Sequence, residues 1–454
     1  MASTYLSKTF GTATDRKKFT VSLWFKRSGL SSTQMLFAGT NGSTDEFVYL
    51  SGSNNIIAEC ASGQLVSSAV FRDTNAWYHV VYKFDSAQAT AGDRTALYVN
   101  GTEISYSTET QPSQNATPNF INNSNLHAIG SRGSSADALF DGSITHFHFC
   151  DGYAYSASDF GETDATTGIW KPKTSPSVTY GTNGFFLKFE NSGSMGTDSS
   201  PNANNFTVNG NLTQTVDTPS NNFATFNPLW RARVNNIDLP TYMSNGNTTF
   251  NSQGSDARLG YFASTLGVTS GKYYWEVKSE SGSGGAVGIS YDSMQSNSNA
   301  QFWDNANLLG CAIKCDGNYF NGKSGESGGA LGVTYTEDDI YGFALDMDNY
   351  ALYAHINGTY VNSGVPTSGA SRTGSLLNLL TSGLAYLNSG EPVFPFFADL
   401  SAGSHAELKV NFGNGYFGTT AVASAGLNGN GSIFEFNVPT GYYALNTKNI
   451  NTYG

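Results

Sequence analysis

Paired carboxylates are tested first, because two acids on one strand can hydrolyse a glycosidic bond. Retaining glycoside hydrolases hold two carboxyl groups about 5–5.5 Å apart, and the spacing Glu-x-Asp-x-x-Glu would place them on one strand face. The run ETDATT (162–167) has Thr167 at the position of the second Glu, and EDDIYG (337–342) has Gly342 there. The motifs Gly-x-Ser-x-Gly, His-Glu-x-x-His and the P-loop are missing as well. We therefore expect a protein that is not an enzyme.

Two histidines, His146 and His148, lie two residues apart in the run THFHF. On a strand they point to one face, which would supply half of a metal site. No third ligand follows at a suitable spacing. We predict instead that Phe147 and Phe149 face the core and that the two histidines face water.

A tryptophan in a polar, Asn-rich run is the strongest candidate for ligand binding. Trp303 and its neighbour Asp304 lie in QFWDNAN (301–307), where an exposed indole could stack on a sugar ring or anchor a protein. Tyr319 and Phe320, in a nearby Gly-rich run, are predicted to join it. The alternative, that Trp303 fills the core of its own domain, stays open.

The other tryptophans are predicted to be structural. Trp24, Trp77 and Trp275 lie within strand patterns and are expected in the core. Trp170 and Trp230 flank the middle of the chain, so packing between domains is the first expectation for both.

Composition limits the classes of partner and compartment. The 454-residue chain has a formal net charge of −12, which disfavours nucleic acid as a partner. The N-terminal run has no apolar signal segment, and no stretch approaches 18 apolar residues, so neither secretion by a signal peptide nor insertion in a membrane is expected. The four cysteines are too few for a disulfide scaffold. We interpret them as buried, reduced residues of a chain that folds in a cytosol.

Short strand patterns separated by turns predict an all-β chain. A first series runs from FTVSLWFKR (19–27) to TALYVNG (95–101), and a second from KYYWEVKSE (272–280) to AELKVNFG (406–413). Both series contain an Asn-Gly pair, Asn100-Gly101 and Asn357-Gly358, which predicts a type I′ hairpin in each. Because the series do not align outside these hairpins, we predict two different antiparallel β-sandwich (jelly-roll) domains in tandem.

The joint between the domains is predicted inside a polar stretch. Residues 190–229 are rich in Asn, Ser, Thr and Gly, which is typical of a linker. The runs GFFLKFE (184–190) and NNFTV (204–208) nevertheless look like strands. We therefore assign residues 1–215 to the first domain and 216–454 to the second.

The first domain resembles the laminin-G-like, concanavalin A-like jelly rolls. The landmarks, in family order, are FTVSLWFK (19–26), WYHVVYKFD (77–85), RTALYVNGTEI (94–104), LHAIGSRG (126–133) and LFDGSITHFHFCDGYAYSASDF (139–160). The resemblance implies a calcium ion at the sandwich rim, bound by hard oxygen ligands. The candidate ligands are the loop acids Asp45, Glu46, Asp85 and Asp93. The alternative is that these acids are solvated loop residues that bind no metal.

The second domain is similar to SPRY domains. The run GKYYWEVKSE (271–280) is followed in family order by GAVGIS (285–290), DIYGFALDMDNYALYAHINGTYV (339–361), PVFPFFADLSAGSHAELKVNFG (392–413) and PTGYYAL (439–445). The resemblance implies partner binding through loops at one end, which here include Trp303, Asp304, Tyr319 and Phe320.

The order of the two domains resembles virion structural proteins of marine tailed bacteriophages. This resemblance implies assembly in the host cytoplasm and a place on the virion surface, in contact with other virion proteins. We expect a non-enzymatic, homo-oligomeric tail fibre or adhesin component that attaches to a host cell-surface glycan. The alternative is a capsid decoration or knob protein that mainly binds virion proteins, which the lack of a trimerising stalk pattern favours.

Overall fold

The structure is a computed structural model that describes most of the chain: residues 4–30, 32–42, 44–133, 137–165, 168–229, 242–252, 260–280, 285–291, 310–314, 317–321, 331, 333, 336–378, 390–399 and 406–454. The chain divides into two compact units. Unit 1 comprises Met1–Gln214 and Thr218–Ser220, and unit 2 comprises Thr215–Asp217 and Asn221–Gly454. The predicted boundary, between 215 and 216, lies in the stretch where the chain passes from one unit to the other. Across the described ranges, no helix is long and apolar enough to span a bilayer.

Unit 1 is built from short strands. They are β1 Tyr5–Thr9, β2 Lys18–Arg27, β3 Gln34–Thr40, β4 Asp45–Leu50, β5 Ile56–Cys60, β6 Gly63–Ser67, β7 Tyr78–Asp85, β8 Thr95–Val99, β9 Thr102–Glu103, β10 Tyr106–Thr110, β11 Leu126–Ile129, β12 Gly142–Asp151, β13 Gly161–Thr163, β14 Trp170–Pro172, β15 Phe185–Leu187 and β16 Thr207–Asn209. A 3₁₀ turn spans Ala91–Asp93, and one short helix, α1, spans Ala157–Phe160.

Two antiparallel sheets form the sandwich of unit 1. One has eight strands in the order β10-β6-β5-β4-β3-β11-β1-β16, and the other has six in the order β15-β12-β2-β7-β8-β9. Apolar side chains alternate along these strands, so each sheet turns one face inward. Val48 and Leu65 from the first sheet and Val21 and Val80 from the second lie in the same buried cluster. The predicted β-sandwich is confirmed for this unit.

Unit 2 is also built from strands. They are β17 Met243–Ser244, β18 Thr249–Asn251, β19 Gly260–Ala263, β20 Lys272–Ser279, β21 Gly285–Tyr291, β22 Gly310–Lys314, β23 Tyr319–Asn321, β24 Ile340–Asp346, β25 Ala351–Ile356, β26 Thr359–Tyr360, β27 Leu377–Asn378, β28 Val393–Asp399, β29 Glu407–Asn411, β30 Tyr416–Phe417, β31 Thr420–Ala421 and β32 Tyr443–Ala444. The described part of unit 2 also contains two 3₁₀ segments, Val361–Ser363 and Pro366–Ser371, and the C-terminal helix α2, Thr447–Tyr453.

The sheets of unit 2 enclose a separate core. The larger sheet follows β17-β18-β29-β20-β24-β25-β26, with β27 paired to β25 and β32 paired in parallel to β20. The smaller sheet follows β19-β28-β21-β22-β23. Trp275 and Phe343 of the larger sheet and Phe397 of the smaller one lie in one buried cluster. The all-β prediction therefore holds in both units.

Both Asn-Gly hairpins are confirmed. Asn100 and Gly101 have φ of 48° and 87°, and Asn357 and Gly358 have φ of 47° and 84°. A type I′ turn requires positive φ at both central residues, which Asn and Gly tolerate best. The turns join β8 to β9 and β25 to β26.

The polar stretch that resembles a linker is tightly hydrogen-bonded at its start. The carboxylate of Asp198 accepts hydrogen bonds from the backbone N–H groups of Phe186, Ser200 and Asn204 at 2.7–2.8 Å. Just before the stretch, β15 pairs with β12, and within it β16 pairs with β1. Both strands overlap runs that the sequence predicts as strands. Residues up to about 209 therefore belong to the sandwich of unit 1 rather than to a free linker.

Candidate functional site

The candidate site lies on the outer face of the eight-stranded sheet of unit 1. Along β4 and β5 every second side chain points inward, as Val48 and Ala58 do in the buried cluster. The intervening residues Phe47, Tyr49 and Glu59 must therefore point to the opposite face. Because the strands pair antiparallel, their outward side chains form rows that run across the sheet.

Strand register brings one such row together. Phe47 of β4 pairs with Glu59 of β5, and Glu59 pairs with Gln64 of β6. A second row, next to the first, contains Tyr49 and its partner Ile57. An aromatic ring, a carboxylate and an amide are thus neighbours on three adjacent strands.

Glu59 is the centre of the hydrogen bonding in this row. Its Oε1 accepts a hydrogen bond from the Tyr49 hydroxyl at 2.9 Å and another from Gln64 Nε2 at 2.7 Å. Both bonds fix the carboxylate by one oxygen, and within the described part of the chain no protein donor reaches Oε2. Burial, and then the bond to Glu59, raises the pKa of Tyr49, so this hydroxyl remains a donor. Glu59 and Gln64 are both half-buried, which leaves them accessible to a ligand.

Arg132 closes one end of the row. Its Nε donates to Asp45 Oδ2 at 2.7 Å, and its Cζ lies 5.3 Å from the centroid of the Phe47 ring. The Asp137 carboxylate is 3.9 Å from Nη1. We call Asp45, Phe47, Tyr49, Glu59, Gln64 and Arg132 the outer patch.

The outer patch has the chemistry of a site for a polyhydroxylated ligand. Aromatic side chains offer an apolar surface to the C–H groups of a sugar ring, and a few placed polar groups fix its orientation. Glu59 Oε2 is available to accept a hydrogen bond from a hydroxyl. Phe47 is 9% exposed, in a buried cluster with Met35 and Ala38, and packs edge to face against Tyr49 with ring centroids 5.7 Å apart. The half-buried Tyr49 is therefore the ring that a ligand can reach.

The four predicted calcium ligands do not converge in this way. Asp45 is ion-paired to Arg132, and Asp85 lies 3.7 Å from Lys18 Nζ and accepts from Gln88 Nε2 at 2.8 Å. Asp93 is exposed in the 3₁₀ turn. Where the chain is described, no group of three His, Cys, Asp or Glu side chains could hold a metal ion. Calcium binding stays a prediction without a located site.

Glu46 has a different role from the one expected. Its side chain is buried, and its carboxylate accepts four backbone hydrogen bonds: from Ala61, Asn119, Phe120 and Ile121, at 2.8–2.9 Å. Gly39, directly opposite on β3, leaves room for this loop, because a Cβ there would lie 2.7 Å from the backbone nitrogen of Ile121. Glu46 therefore anchors the loop at 119–121 inside the sandwich.

The ligand-binding candidates of unit 2 are only partly described. Trp303 and Asp304 lie outside the described residues. Tyr319 and Phe320, expected in a loop, form β23 at the edge of the five-stranded sheet, paired to Ile313 and Ala312. Tyr319 is half-buried there. A ligand site around Trp303 stays a prediction.

The prediction for the paired histidines is half right. Phe147 and Phe149 are fully buried in the core, as expected. His148, however, does not face water: it is 1% exposed, stacks on Phe186 and bonds through Nδ1 to the Tyr180 hydroxyl at 3.0 Å. The difference arises because residues of the segment 152–187 form a layer that covers this face of the sheet, Tyr180 and Phe186 among them.

Trp170 belongs to the same covering layer of unit 1, which corrects its expected place at a domain joint. Its ring lies over Gly101 and Gly161, and its Nε1 donates to His79 Nδ1 at 3.0 Å. Trp230 lies outside the described residues. Trp24, Trp77 and Trp275 are buried, as predicted.

A serine and a histidine are in contact beneath this layer, but their protons are arranged unfavourably for catalysis. Ser22 Oγ lies 2.9 Å from His79 Nε2. An indole N–H can only donate, so the bond from Trp170 makes Nδ1 of neutral His79 an acceptor and places its proton on Nε2. His79 therefore donates to Ser22 and is not oriented as its general base. Burial lowers the pKa of His79 to about 3, which keeps the ring neutral.

Unit 2 contains a buried polar chain that the sequence analysis missed. Nε2 of His355 lies 2.7 Å from the Tyr274 hydroxyl, which in turn donates to Glu276 Oε1 at 3.0 Å. Glu276 also accepts the backbone N–H groups of Glu435 and Phe436, both at 2.8 Å. Burial raises the pKa of Glu276 to about 7, against these hydrogen bonds, which lower it. Glu276 is fully buried, so this cluster supports the fold rather than a ligand.

Comparison with known proteins identifies the type of one domain. Residues 2–159 match the family described as the concanavalin A-like lectin/glucanases superfamily, of laminin G type. A search of curated proteins returned no match.

Similar solved structures include a candidate carbohydrate-binding protein from Bacteroides ovatus, 14% identical, with a TM-score of 0.32 over 46% of this chain and 55% of that one. The chain thus spans about half of that relative. The SPRY domain of human HERC1 is 16% identical, with a TM-score of 0.27 over 41% of this chain and 96% of that one. Domain 4 of the arabinanase AbnA from Geobacillus stearothermophilus, solved with arabinotriose, is 18% identical, with a TM-score of 0.23 over 31% and 63%.

These TM-scores are all below 0.5, so the structural likenesses carry no argument about function, and the assignment of the second domain to the SPRY family stays a prediction. The family match covers the strands of unit 1 that carry the outer patch. Residues 2–159 of unit 1 are thus similar to the laminin G type of concanavalin A-like jelly rolls.

Proposed function

We propose that the protein binds glycans through the outer patch, without enzymatic activity. The observation that carries this proposal is the Glu59 carboxylate, held through one oxygen by Tyr49 and Gln64 on a half-buried sheet face. Such a carboxylate is oriented before a ligand arrives, so less conformational entropy is lost on binding. The concanavalin A-like type of the domain supports the same class of ligand.

The biological setting forms a second part of the proposal. The resemblance of the two-domain order to virion proteins supports a place on the surface of a tailed bacteriophage, where the chain would attach the particle to a host cell-surface glycan. We propose homo-oligomers docked on other virion proteins. A capsid decoration protein that mainly binds other virion proteins is the second candidate.

Glycan binding is tested with the intact chain on an array of bacterial surface glycans, followed by calorimetry on the glycans that bind. The substitution Glu59→Gln keeps the size of the side chain and removes its charge. We expect it to weaken binding about tenfold, because hydrogen bonds to charged groups are among the strongest. Glu109→Gln is the matched control, since Glu109 is an exposed acid on β10 that pairs with Leu65 and so points to the other face. Equal binding by wild type and Glu59→Gln would contradict the proposal.

The setting is tested separately. Purified protein is incubated with host cells before particles that carry the chain are added, and adsorbed particles are counted. Blocked adsorption supports attachment. Unchanged adsorption, together with antibody labelling of heads rather than tails, would favour decoration. Repeating the array with a calcium chelator tests the predicted metal, and incubating the glycans that bind with the protein tests for cleavage.

A further inference from the structure

The outer patch continues across the sheet beyond Glu59, and its charges are unbalanced. The row that begins at Phe47 passes through Glu59 and Gln64 to Thr110 of β10, which pairs with Gln64. These four strands span about 14 Å at roughly 4.8 Å per strand. This length exceeds one pyranose ring, so the row can contact several sugar units of one chain.

The floor beside this row is apolar. Ile57 and Val66 pair with each other in the neighbouring row, and Val66 in turn pairs with Thr108. Ile57 is 9% exposed and Val66 is half-buried, so Val66 supplies most of the apolar surface that a ligand can reach between the polar side chains. The C–H face of a sugar ring fits such a strip, while the Thr108 and Thr110 hydroxyls are exposed at its far end.

Acids outnumber bases around the row. Asp45, Asp137 and Glu59 are the carboxylates, and Arg132 is the one cation that contacts a member of the outer patch in the described residues. Two of the three carboxylates lie against Arg132, so its charge is already compensated. Tyr49 and Gln64 donate to Glu59 Oε1, which leaves Oε2 to accept a hydrogen bond from a ligand. A carboxylate oxygen cannot pair with an anion. A uronate or sulfate placed here would meet like charge.

The geometry points to a neutral oligosaccharide that lies across β4, β5, β6 and β10, with hydroxyl groups donating to Glu59, and to exclusion of acidic glycans. This inference rests on the proposed function and names the class of its ligand. It places Thr108 and Thr110 in the binding site, in addition to the outer patch.

The test compares neutral and acidic oligosaccharides of equal length by calorimetry with the intact chain. The neutral probes are the hexamers of cellulose, amylose, laminarin, xylan and chitin, and the acidic probes are hexagalacturonate and hexamannuronate. We expect at least one neutral hexamer to bind at least tenfold more tightly than either uronate, with an affinity independent of salt. A disaccharide of the same sugar should bind more weakly than the hexamer, because two rings are shorter than the row.

Three variants complete the test. Glu59→Gln should weaken binding of the neutral hexamer about tenfold. It should also reduce the ratio between the affinities for the neutral hexamer and for the uronates, because the charge that repels the uronates is removed. Thr110→Val should weaken binding of the hexamer several-fold and affect binding of the disaccharide less. Glu109→Gln, with its acid on the other face, should change neither affinity nor selectivity, whereas a change as large as that of Glu59→Gln would overturn the location.

The outcomes separate the two proposals. If a uronate binds as tightly as the neutral hexamers, and Glu59→Gln weakens both, glycan binding stands and the neutral class is overturned. If none of the probes binds and the array is also negative, the proposed function itself is overturned. Unchanged unfolding temperatures of the variants show that each loss of affinity is local.

Discussion

Two buried glutamates, one in each unit, accept hydrogen bonds from backbone N–H groups. Glu46 holds the loop at 119–121 in unit 1, and Glu276 holds residues 435 and 436 in unit 2. In both cases a carboxylate satisfies donors of a loop that has no strand partner at that point. Buried backbone donors without partners cost free energy, so each acid stabilises a whole loop rather than one contact.

Replacing Glu46 by Gln should destabilise unit 1 by roughly 2–3 kcal/mol. The carboxylate accepts from four backbone donors, two at each oxygen. A Gln amide would direct N–H groups at two of them and leave those donors unsatisfied. Urea denaturation gives the free energy of unfolding, and hydrogen exchange at residues 119–121 reports the loop. The exposed Glu109→Gln serves as the control, and a loss no larger than in that control would show that Glu46 does not anchor the loop.

The stability of unit 2 should rise as the pH falls from 8 to 6.5. Burial raises the pKa of Glu276 from 4.5 to about 7, so its contribution is complete below 4.5 and is lost as the pH rises through 7. Between pH 8 and 6.5 the contribution of Glu276 grows by about 0.8 kcal/mol. His355 acts in the opposite direction over the same range, because burial lowers its pKa from 6.5 to about 4. It offsets about 0.4 kcal/mol between pH 8 and 6.5, so the expected net rise is about 0.4 kcal/mol.

Pulse-labelling hydrogen exchange of β20 and β24 peptides in a urea series measures this pH dependence for unit 2 alone, with labelling at one fixed pH. In Glu276→Gln the rise between pH 8 and 6.5 should vanish, whatever the stability of the variant. A rise of the same size in the variant would assign the pH dependence to another group.

At the scale of elements, β24 and β25 are shaped by the fit of one histidine on one glycine. Gly342 pairs with His355 across the two strands. A Cβ on Gly342 would lie 1.9 Å from His355 Nε2, so the imidazole occupies the space of the missing side chain. This fit lets His355 reach Tyr274 and complete the buried chain to Glu276.

Gly342→Ala should therefore destabilise unit 2 by about 1–3 kcal/mol, the usual range for overpacking a well-packed interior. In the double variant Gly342→Ala/His355→Ala the clash is gone. The double variant should therefore lose less stability than the sum of the losses in the two single variants. Equilibrium unfolding of wild type, both single variants and the double variant gives the coupling free energy. Strictly additive losses would mean that the glycine is not required by the histidine.

The sequence predicts these elements well where a local rule decides them, and poorly where a distant segment does. The hairpins at Asn100-Gly101 and Asn357-Gly358 follow from turn chemistry within four residues, and both are confirmed. The exposure of His148 depends on a layer contributed by residues 152–187, which strand alternation does not reveal. Glu46 resembles a loop acid in the sequence because three of its four partners are backbone groups 73 to 75 residues later, and only Ala61 is nearer.

The outer patch itself could not be read from the sequence. Glu59, Gln64 and Tyr49 are ordinary residues in three separate strands, and only the register makes them neighbours. Trp303 is a candidate because a tryptophan in a polar run is unusual. It lies outside the described residues. The candidate sites of the two units therefore rest on different evidence, geometry in unit 1 and residue type in unit 2.

At the scale of the whole molecule, each unit has a complete core of its own. The main buried clusters draw on unit 1 strands alone or on unit 2 strands alone. Each of these clusters lies between or upon sheets that pair internally. Residues 215–217 belong to unit 2 and residues 218–220 to unit 1. Two fragments that each retain one whole unit must therefore overlap over residues 215–220.

Fragments 1–220 and 215–454 should each fold cooperatively, since each retains every segment of one unit. Circular dichroism and urea unfolding of the two fragments should give two single transitions, and the glycan affinity of the intact chain should be found in fragment 1–220. A fragment that aggregates or unfolds without cooperativity would show that its core is incomplete. Full affinity in fragment 215–454 instead would contradict the site in unit 1.

The two Asn-Gly turns are also sites where the protein could deamidate. Asn-Gly pairs lose ammonia spontaneously when the backbone nitrogen of Gly attacks the Asn side chain, yet in both turns that side chain is held elsewhere. Asn100 Oδ1 accepts the N–H of His79 at 2.8 Å, and Asn357 Oδ1 accepts the N–H of Ile340 at 2.9 Å. The folded hairpin thus protects its own turn, and aspartate at these two positions would record the time that each unit has spent unfolded.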